Sequence, residues 1–321
     1  MDEYLINATP LTWDFQKWLT EFRDASKSKI GFRVSRKKVF DHTVAVIKAG
    51  EYKIDGNTYA LKDYADLANI VNGSVFYKDT AQLDLPANAA HPNPAFYAIQ
   101  ADCVEVGTMM KTLGFSPVML NMASATSPGG AVERGAGAQE ENLFRRSNLY
   151  TSLYQFSEVA TQYGLRMHDQ DRYPIPAPSG GIYSPDVLFF RSSEHTGYAL
   201  LPYPNTLSVV TVAAIAYPDV ESRQGKRWLV PEAVAITKQK IRSILRISAA
   251  QHHDCVILSA LGCGAYGNPP HHMAQLFQEV LTEADFAGRF KAVIFAIIDD
   301  HNAWKPHNPL GNLIPFQKVF N

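Results

Sequence analysis

VMLNMASATSPGGAVERGAGAQEENLFRRSNLY, residues 118–150, runs strand, glycine loop and helix together, and its reading decides the fold. Val118 to Ala123 is a short apolar run of the kind buried in a covered sheet. From Ala138 the sequence turns helical, AQEENLFRRSNLYTSLY. Between the two, Gly129, Gly130, Gly135 and Gly137 let the backbone approach a ligand closely and take positive φ. The helix that follows presents free N–H groups and the positive end of its dipole. Loop and helix end together suit a diphosphate and need no lysine. The unusual feature is what ends the loop. Gln139, Glu140 and Glu141 stand where a phosphate loop ordinarily carries Lys, Ser or Thr.

Two readings of these acids stay open on the residues alone. Acids in a first helical turn stabilise it by about 0.3–1 kcal/mol, and that role requires no chemistry. The alternative is catalytic, and the spacing constrains it. Neighbours on a helix point about 100° apart. Glu140 and Glu141 therefore cannot flank one bond as the facing carboxylates of a retaining glycosidase do. One would transfer a proton while the other anchors the substrate. A carboxylate at a helix N-terminus is favoured in its ionised form, so a general acid there needs desolvation or a ligand's phosphates.

Further strands are expected in FYAIQADCVEV, VLFFR, LSVVTVAAIAY, DCVILSAL and KAVIFAIID. Helices are expected over residues 13 to about 50, in PEAVAITKQKIRSILRISAAQHH and in PPHHMAQLFQEVLTEA, with Pro231 at a first helical position. EYKIDGNTYALK reads as a hairpin on Asp55-Gly56. Continuous apolar strands alternating with helices give an α/β class, a three-layer α/β/α fold with a mixed sheet. A soft boundary falls at the loop PANAAHPNP, dividing a helical and hairpin region (1–90) from the core (91–321).

Composition narrows the function. With 46% hydrophobic and 19% charged residues, the chain can bury a sizeable core. A net charge of −1 and no long basic run give no nucleic-acid footprint, so an anionic ligand would rest largely on backbone N–H groups. Three cysteines are too few and odd in number for a disulfide framework. The acidic first residues do not make a signal peptide, and no run of 18 apolar residues suggests a membrane span. A cytoplasmic monomer is expected; export without a cleaved signal would leave no such mark.

A second glycine motif, Gly262, Gly264 and Gly267 in LSALGCGAYGNPP, follows a strand and opens a helix, as a dinucleotide fingerprint does. Asp299 lies too far beyond it for the ribose-binding acid, and no second half-fold follows. Phosphate contact of another kind suits it better. His252, His253, Cys255, Cys263, His271 and His272 show no metal-ligand spacing, and Cys263 reads as a small buried residue. No metal and no cofactor are expected.

Read together, NMASATSPGGAVERGAGAQEENLFRRSNLY, SPDVLFFR, LSALGCGAYGNPP and VIFAIID resemble the microbial-type poly(ADP-ribose) glycohydrolases, over nearly the whole chain. The resemblance implies a macrodomain that releases ADP-ribose from poly(ADP-ribose) on modified proteins. It implies Glu141 as general acid and base, Glu140 holding ribose hydroxyls, and Gln139 fixing the loop. Asn121 and Ser124 would line the distal ribose. Gly129, Gly130, Ala131 and Val132 would lie along the ligand's diphosphate side. Gly262, Gly264, Ala265, Tyr266 and Gly267 would form the second phosphate loop, with Tyr266 packed against the ligand. One departure stands out: Ala131 takes the place of the family's third glycine. If that position needs positive φ, alanine costs on the order of 1 kcal/mol. A reader that binds ADP-ribose without cutting it, or a hydrolase of mono-ADP-ribosylated substrates, is the alternative.

Overall fold

The computed structural model describes residues 11–25, 30–87 and 91–321. The first ten residues, part of the helix expected over 13–50 and part of the loop around 86–94 lie outside them. Helices α1 (Phe15–Ala25) and α2 (Gly31–Ala49) come first, and the short α3 (Leu67–Asn72) follows the first hairpin. Gly50 closes α2 at φ 73°, its N–H reaching the carbonyls of Val46 and Ile47. The hairpin β1 (Glu51–Ile54) and β2 (Asn57–Ala60) turns on Asp55 and Gly56, both at positive φ, the mirror-image turn that matches strand twist.

The main sheet has seven strands in the order β3-β6-β7-β5-β10-β11-β4. Their ranges are β3 Val75–Tyr77, β4 Ala95–Ile99, β5 Pro117–Ala123, β6 Gly181–Arg191, β7 Leu200–Ala213, β10 Cys255–Leu258 and β11 Ala292–Ala296. The run β7-β5-β10-β11-β4 is parallel. Only residues 192–199 join β6 to its neighbour β7, too few for a parallel crossover, so that pair is antiparallel and the sheet mixed.

The chain divides into two compact units, each discontinuous in sequence. One comprises Met1–Val75, Thr126–Pro174 and Ser184–Leu207; the other comprises Phe76–Ala125, Ile175–Tyr183 and Ser208–Asn321. The loop around 86–94 thus lies inside the second unit.

In the second unit the alternation of strand residues sorts two faces. Val118 and Leu120 of β5, Val256 and Leu258 of β10, and Val293 and Phe295 of β11 share one core with α7 (Pro231–Ala250), α8 (Pro270–Leu281) and Phe316 of α9 (Leu313–Phe320). Helix α4 (Cys103–Thr112) packs on β5 and β10 without joining that core. Helices therefore cover both faces, the three-layer arrangement. In the first unit Val46, Tyr52, Leu61, Leu188, Phe190 and Leu200 form one core.

Several elements differ from expectation. The stretch 96–106 is strand only to Ile99; Asp102 then caps α4, its carboxylate accepting from Val104 and Glu105 N–H at 3.1 Å each. The single helix expected over 138–154 is two, α5 (Gln139–Arg146) and α6 (Leu149–Tyr154). Ser147 breaks it: its hydroxyl donates to Leu143 O and accepts from Leu149 N–H, competing with the helical pattern. Strand β7 stops at Ala213, short of the expected Tyr217. A second hairpin, β8 (Val220–Arg223) with β9 (Lys226–Leu229), turns on Gln224 and Gly225, again both at positive φ.

Candidate active site

The candidate residues fall into two groups, one in each unit. The first lies on the loop between β5 and α5 and at the start of α5. Glu140 Oε1 accepts from the Gly129 N–H at 3.0 Å. Glu141 spans the loop: Oε1 accepts from Ala131 N–H at 3.0 Å and Oε2 from Ala138 N–H at 2.9 Å. Ala138 is the N-cap of α5 and, as an alanine, offers no acceptor; Glu141 supplies the reciprocal half of a capping box alone. Both carboxylates are buried, at 3% and 6% exposure, so they stand in the wall of the loop rather than on a free helix end.

The glycines here serve the acids. Gly129 and Gly130 have φ of 74° and 58°. A Cβ on Gly130 would lie 2.5 Å from Glu141 Oε1, and one on Gly129 would lie 2.5 Å from the Phe144 ring. Phe144 is itself backed by Phe40 of α2 and by Tyr154. The amides follow the same logic. Gly130 N–H bonds Ser127 O and Val132 N–H bonds Gly129 O, so residues 129–132 place all four N–H groups inside the loop or on Glu140 and Glu141. The cradle of free amides expected at this loop is therefore not what these amides form: two meet carboxylates and two meet backbone carbonyls. Ala131 sits at φ −116°, ψ 38°, outside the left-handed region, so no positive φ calls for the missing third glycine. Val132 is buried in the turn Val132–Arg134, and Gln139 is half-buried at the first position of α5.

The second group surrounds the turn after β10. Gly262 and Gly267 have φ of 73° and 74°. Asn268, 1% exposed, locks the turn by donating to Ile215 O at 2.8 Å and Gly262 O at 3.1 Å. Among the described residues the N–H groups of Gly264 and Ala265 bond to no part of the chain, and Ala265 is exposed. Two adjacent free amides are a donor pair of the kind that anion-accepting backbone concavities use. Tyr266 is half-buried, its carbonyl accepting from Tyr217 N–H at 2.9 Å and its ring 6.4 Å from that of Tyr217. Asn121 is fully buried at the end of β5 and donates to Thr211 Oγ1 at 3.2 Å; Ser124 follows, partly exposed. Asp299 accepts from the N–H groups of Asn312 and Leu313 at the start of α9, which gives it a structural task apart from any ribose.

The three cysteines are free and buried. Burial pushes both the Cys255 and Cys263 thiols up, Cys255 to about 12. No group of three or more His, Cys, Asp or Glu side chains among the described residues is placed to hold a metal. His272 accepts from Leu229 N–H through Nδ1 at 3.0 Å and packs against Trp228. No helix among the described residues is long and apolar enough to cross a membrane.

The sequence reading missed a set of buried polar groups behind α5. Arg145, Arg146 and Arg191 are at most 2% exposed, and burial lowers Arg191 to about 9. The one sequence signal was spacing, since Arg145 stands four residues after Glu141 on the same helix face.

A mixed sheet layered between helices, with an acid pair folded into a glycine loop, defines a macrodomain-type hydrolase. The family model for the microbial-type PARG (poly(ADP-ribose) glycohydrolase) catalytic domain matches residues 41–192. The chain is similar in structure to the poly(ADP-ribose) glycohydrolase of Thermomonospora curvata, with a TM-score of 0.70 and 28% identity over 89% of this chain and 99% of that one. The same enzyme bound to the inhibitor ADP-HPD gives 0.67 and 27% over 88% and 98%. The poly(ADP-ribose) glycohydrolase of Deinococcus radiodurans in complex with ADP-ribose gives 0.60 and 27% over 79% and 96%. Curated protein sequences give no match. Residues 41–192 carry the match to the microbial-type PARG catalytic domain, and the bacterial poly(ADP-ribose) glycohydrolases share the fold over most of the chain.

Proposed function

We propose that the chain hydrolyses ribose–ribose O-glycosidic bonds of poly(ADP-ribose), releasing ADP-ribose, with Glu141 as general acid and base. The observation that carries this is the way Glu141 is held. Each of its oxygens accepts one loop N–H, and each keeps a second lone-pair direction for proton traffic. A proton there passes to the leaving ribose oxygen as the C1″–O bond breaks. The carboxylate then takes a proton from water as that water bonds to the oxocarbenium-like carbon. Glu140 holds ribose hydroxyls, and Gln139 and Val132 shape the turn. Asn121 and Ser124 line the distal ribose. The free amides of Gly264 and Ala265, between Gly262 and Gly267, take phosphate oxygens, with Tyr266 against the ligand. The substrate is polymer on modified proteins, and the enzyme acts as a cytoplasmic monomer.

Glu141→Gln tests the reading. ADP-ribose release from poly(ADP-ribose) should fall by about 10²–10⁴-fold, with calorimetric ADP-ribose binding retained. Tight binding with no release by the wild type would make the protein a reader and overturn it.

A further inference from the structure

The turn that leads to Glu141 is held partly by its own amides and partly from outside. Residues 135–138, Gly-Ala-Gly-Ala, bring no side chain larger than a methyl group. Such a segment has much conformational freedom to lose. Beyond the bonds of Gly135 N–H to Val132 O, Ala136 N–H to Ala131 O and Ala138 N–H to Glu141, its fixed points come from other elements of the same unit. Arg145 Nη1 donates to Ala136 O at 2.8 Å. The Arg36 guanidinium of α2 lies against Gly137, where an added Cβ would be 2.2 Å from Nη1. On Gly135 the same atom would be 1.9 Å from the Arg33 carbonyl oxygen. Helices α2 and α5 thus bracket the segment; at Gly135, φ 69° against backbone, glycine is required, and at Gly137 any larger residue must displace the Arg36 guanidinium.

The two arginines are joined to each other. Arg36 donates through Nε and Nη2 to the two carboxylate oxygens of Glu194, at 2.7 Å each. Tyr198 OH donates to Glu194 Oε2 at 3.0 Å and accepts from Arg145 Nε at 2.8 Å. Arg145 and Tyr198 are fully buried, and the Arg36 side chain is 11% exposed. Burial would raise the Glu194 carboxyl, but the bond to Arg36 and its charge outweigh that and hold it below its usual range. A lysine would keep the charge and lose the two-pronged geometry.

We propose that Arg36 is a positioning residue for the reaction: coupled to Arg145 through Glu194 and Tyr198, it holds the Gly135–Gly137 backbone and so fixes where the Glu141 carboxylate stands. The inference rests on Glu141 as the acid and base. Active sites tolerate little displacement, since a misplacement of about 1 Å can cost on the order of a hundredfold in rate.

Two variants test it. Arg36→Lys removes the fork, and Tyr198→Phe removes the hydroxyl that joins the halves while keeping its ring against Trp18. Amide hydrogen exchange across residues 131–138 is read alongside turnover, ADP-ribose affinity and melting temperature. Both variants should exchange those amides about tenfold faster or more while remaining folded. Turnover should fall about ten- to a hundredfold, with ADP-ribose affinity within about twofold. The double variant should lose less than the product of the two losses, because both cut one bracket. Wild-type exchange in both variants overturns the proposal, whatever the activity. So does faster exchange with unchanged turnover while Glu141→Gln is inactive. If Glu141→Gln itself stays active, the assignment of the acid fails instead, and the exchange data alone decide whether Arg36 holds the loop.

Discussion

Ala131 departs from the glycine of the family the sequence resembles, yet its φ is negative. Restoring glycine there should not raise activity. Ala131→Gly should instead lower stability by about 0.4–1 kcal/mol, because glycine widens the unfolded ensemble; urea unfolding beside a turnover assay measures both. Gly130 is the opposite case. At φ 58°, with Glu141 Oε1 2.5 Å from any added Cβ, Gly130→Ala must shift the carboxylate or the turn. Turnover should fall by at least about tenfold, with strain of roughly 1–2 kcal/mol in unfolding. Unchanged turnover would mean that the carboxylate's placement within the loop does not limit the reaction.

Among the elements, those marked by local chemistry were legible in the sequence. The Asp55-Gly56 hairpin, Gly50 at the end of α2 and Pro231 at the start of α7 each announced a backbone conformation that few residues can take. Elements that depend on a competing side chain were not. Asp102 starts a helix inside an apolar run, and Ser147 splits another by bonding in both directions. Asp102→Ala should cost about 1 kcal/mol, as loss of an N-cap does, read as a shift of the unfolding midpoint. A cost within error would show that α4 needs no cap. The acid pair was legible because it breaks the rule for phosphate loops. The Arg36–Glu194 pair was not, because 158 residues separate partners whose meeting only the tertiary fold arranges.

For the whole molecule, His272 contributes a pH dependence to stability, and burial lowers its neighbour His271 in the same direction. Burial, then the charge of His271, lowers His272 from 6.5 to about 4, and its Nδ1 must stay unprotonated to accept from Leu229 N–H. Between those values the unfolded chain binds a proton that the folded chain refuses. The stabilisation is complete above pH 6.5 and is lost as pH falls towards 4. His272→Asn keeps an acceptor and cannot titrate, so its urea midpoint should vary less than that of the wild type between pH 7 and 4. Equal slopes would assign the acid sensitivity elsewhere. The division of the chain was the least legible feature, because compact units formed from separated segments leave no compositional seam.

That division governs what can be cut away. The segment Thr126–Pro174, which carries Glu140 and Glu141, shares its unit with Met1–Val75. Phe40 backs Phe144, and Thr43 Oγ1 donates to Arg145 O at 2.6 Å. A truncated protein begun at residue 91 would keep both acids in its sequence and lose the helix they are mounted against. Expressed alone it should aggregate or remain inactive, as solubility and turnover would report, so trimming for crystals or a minimal enzyme must spare the front of the chain.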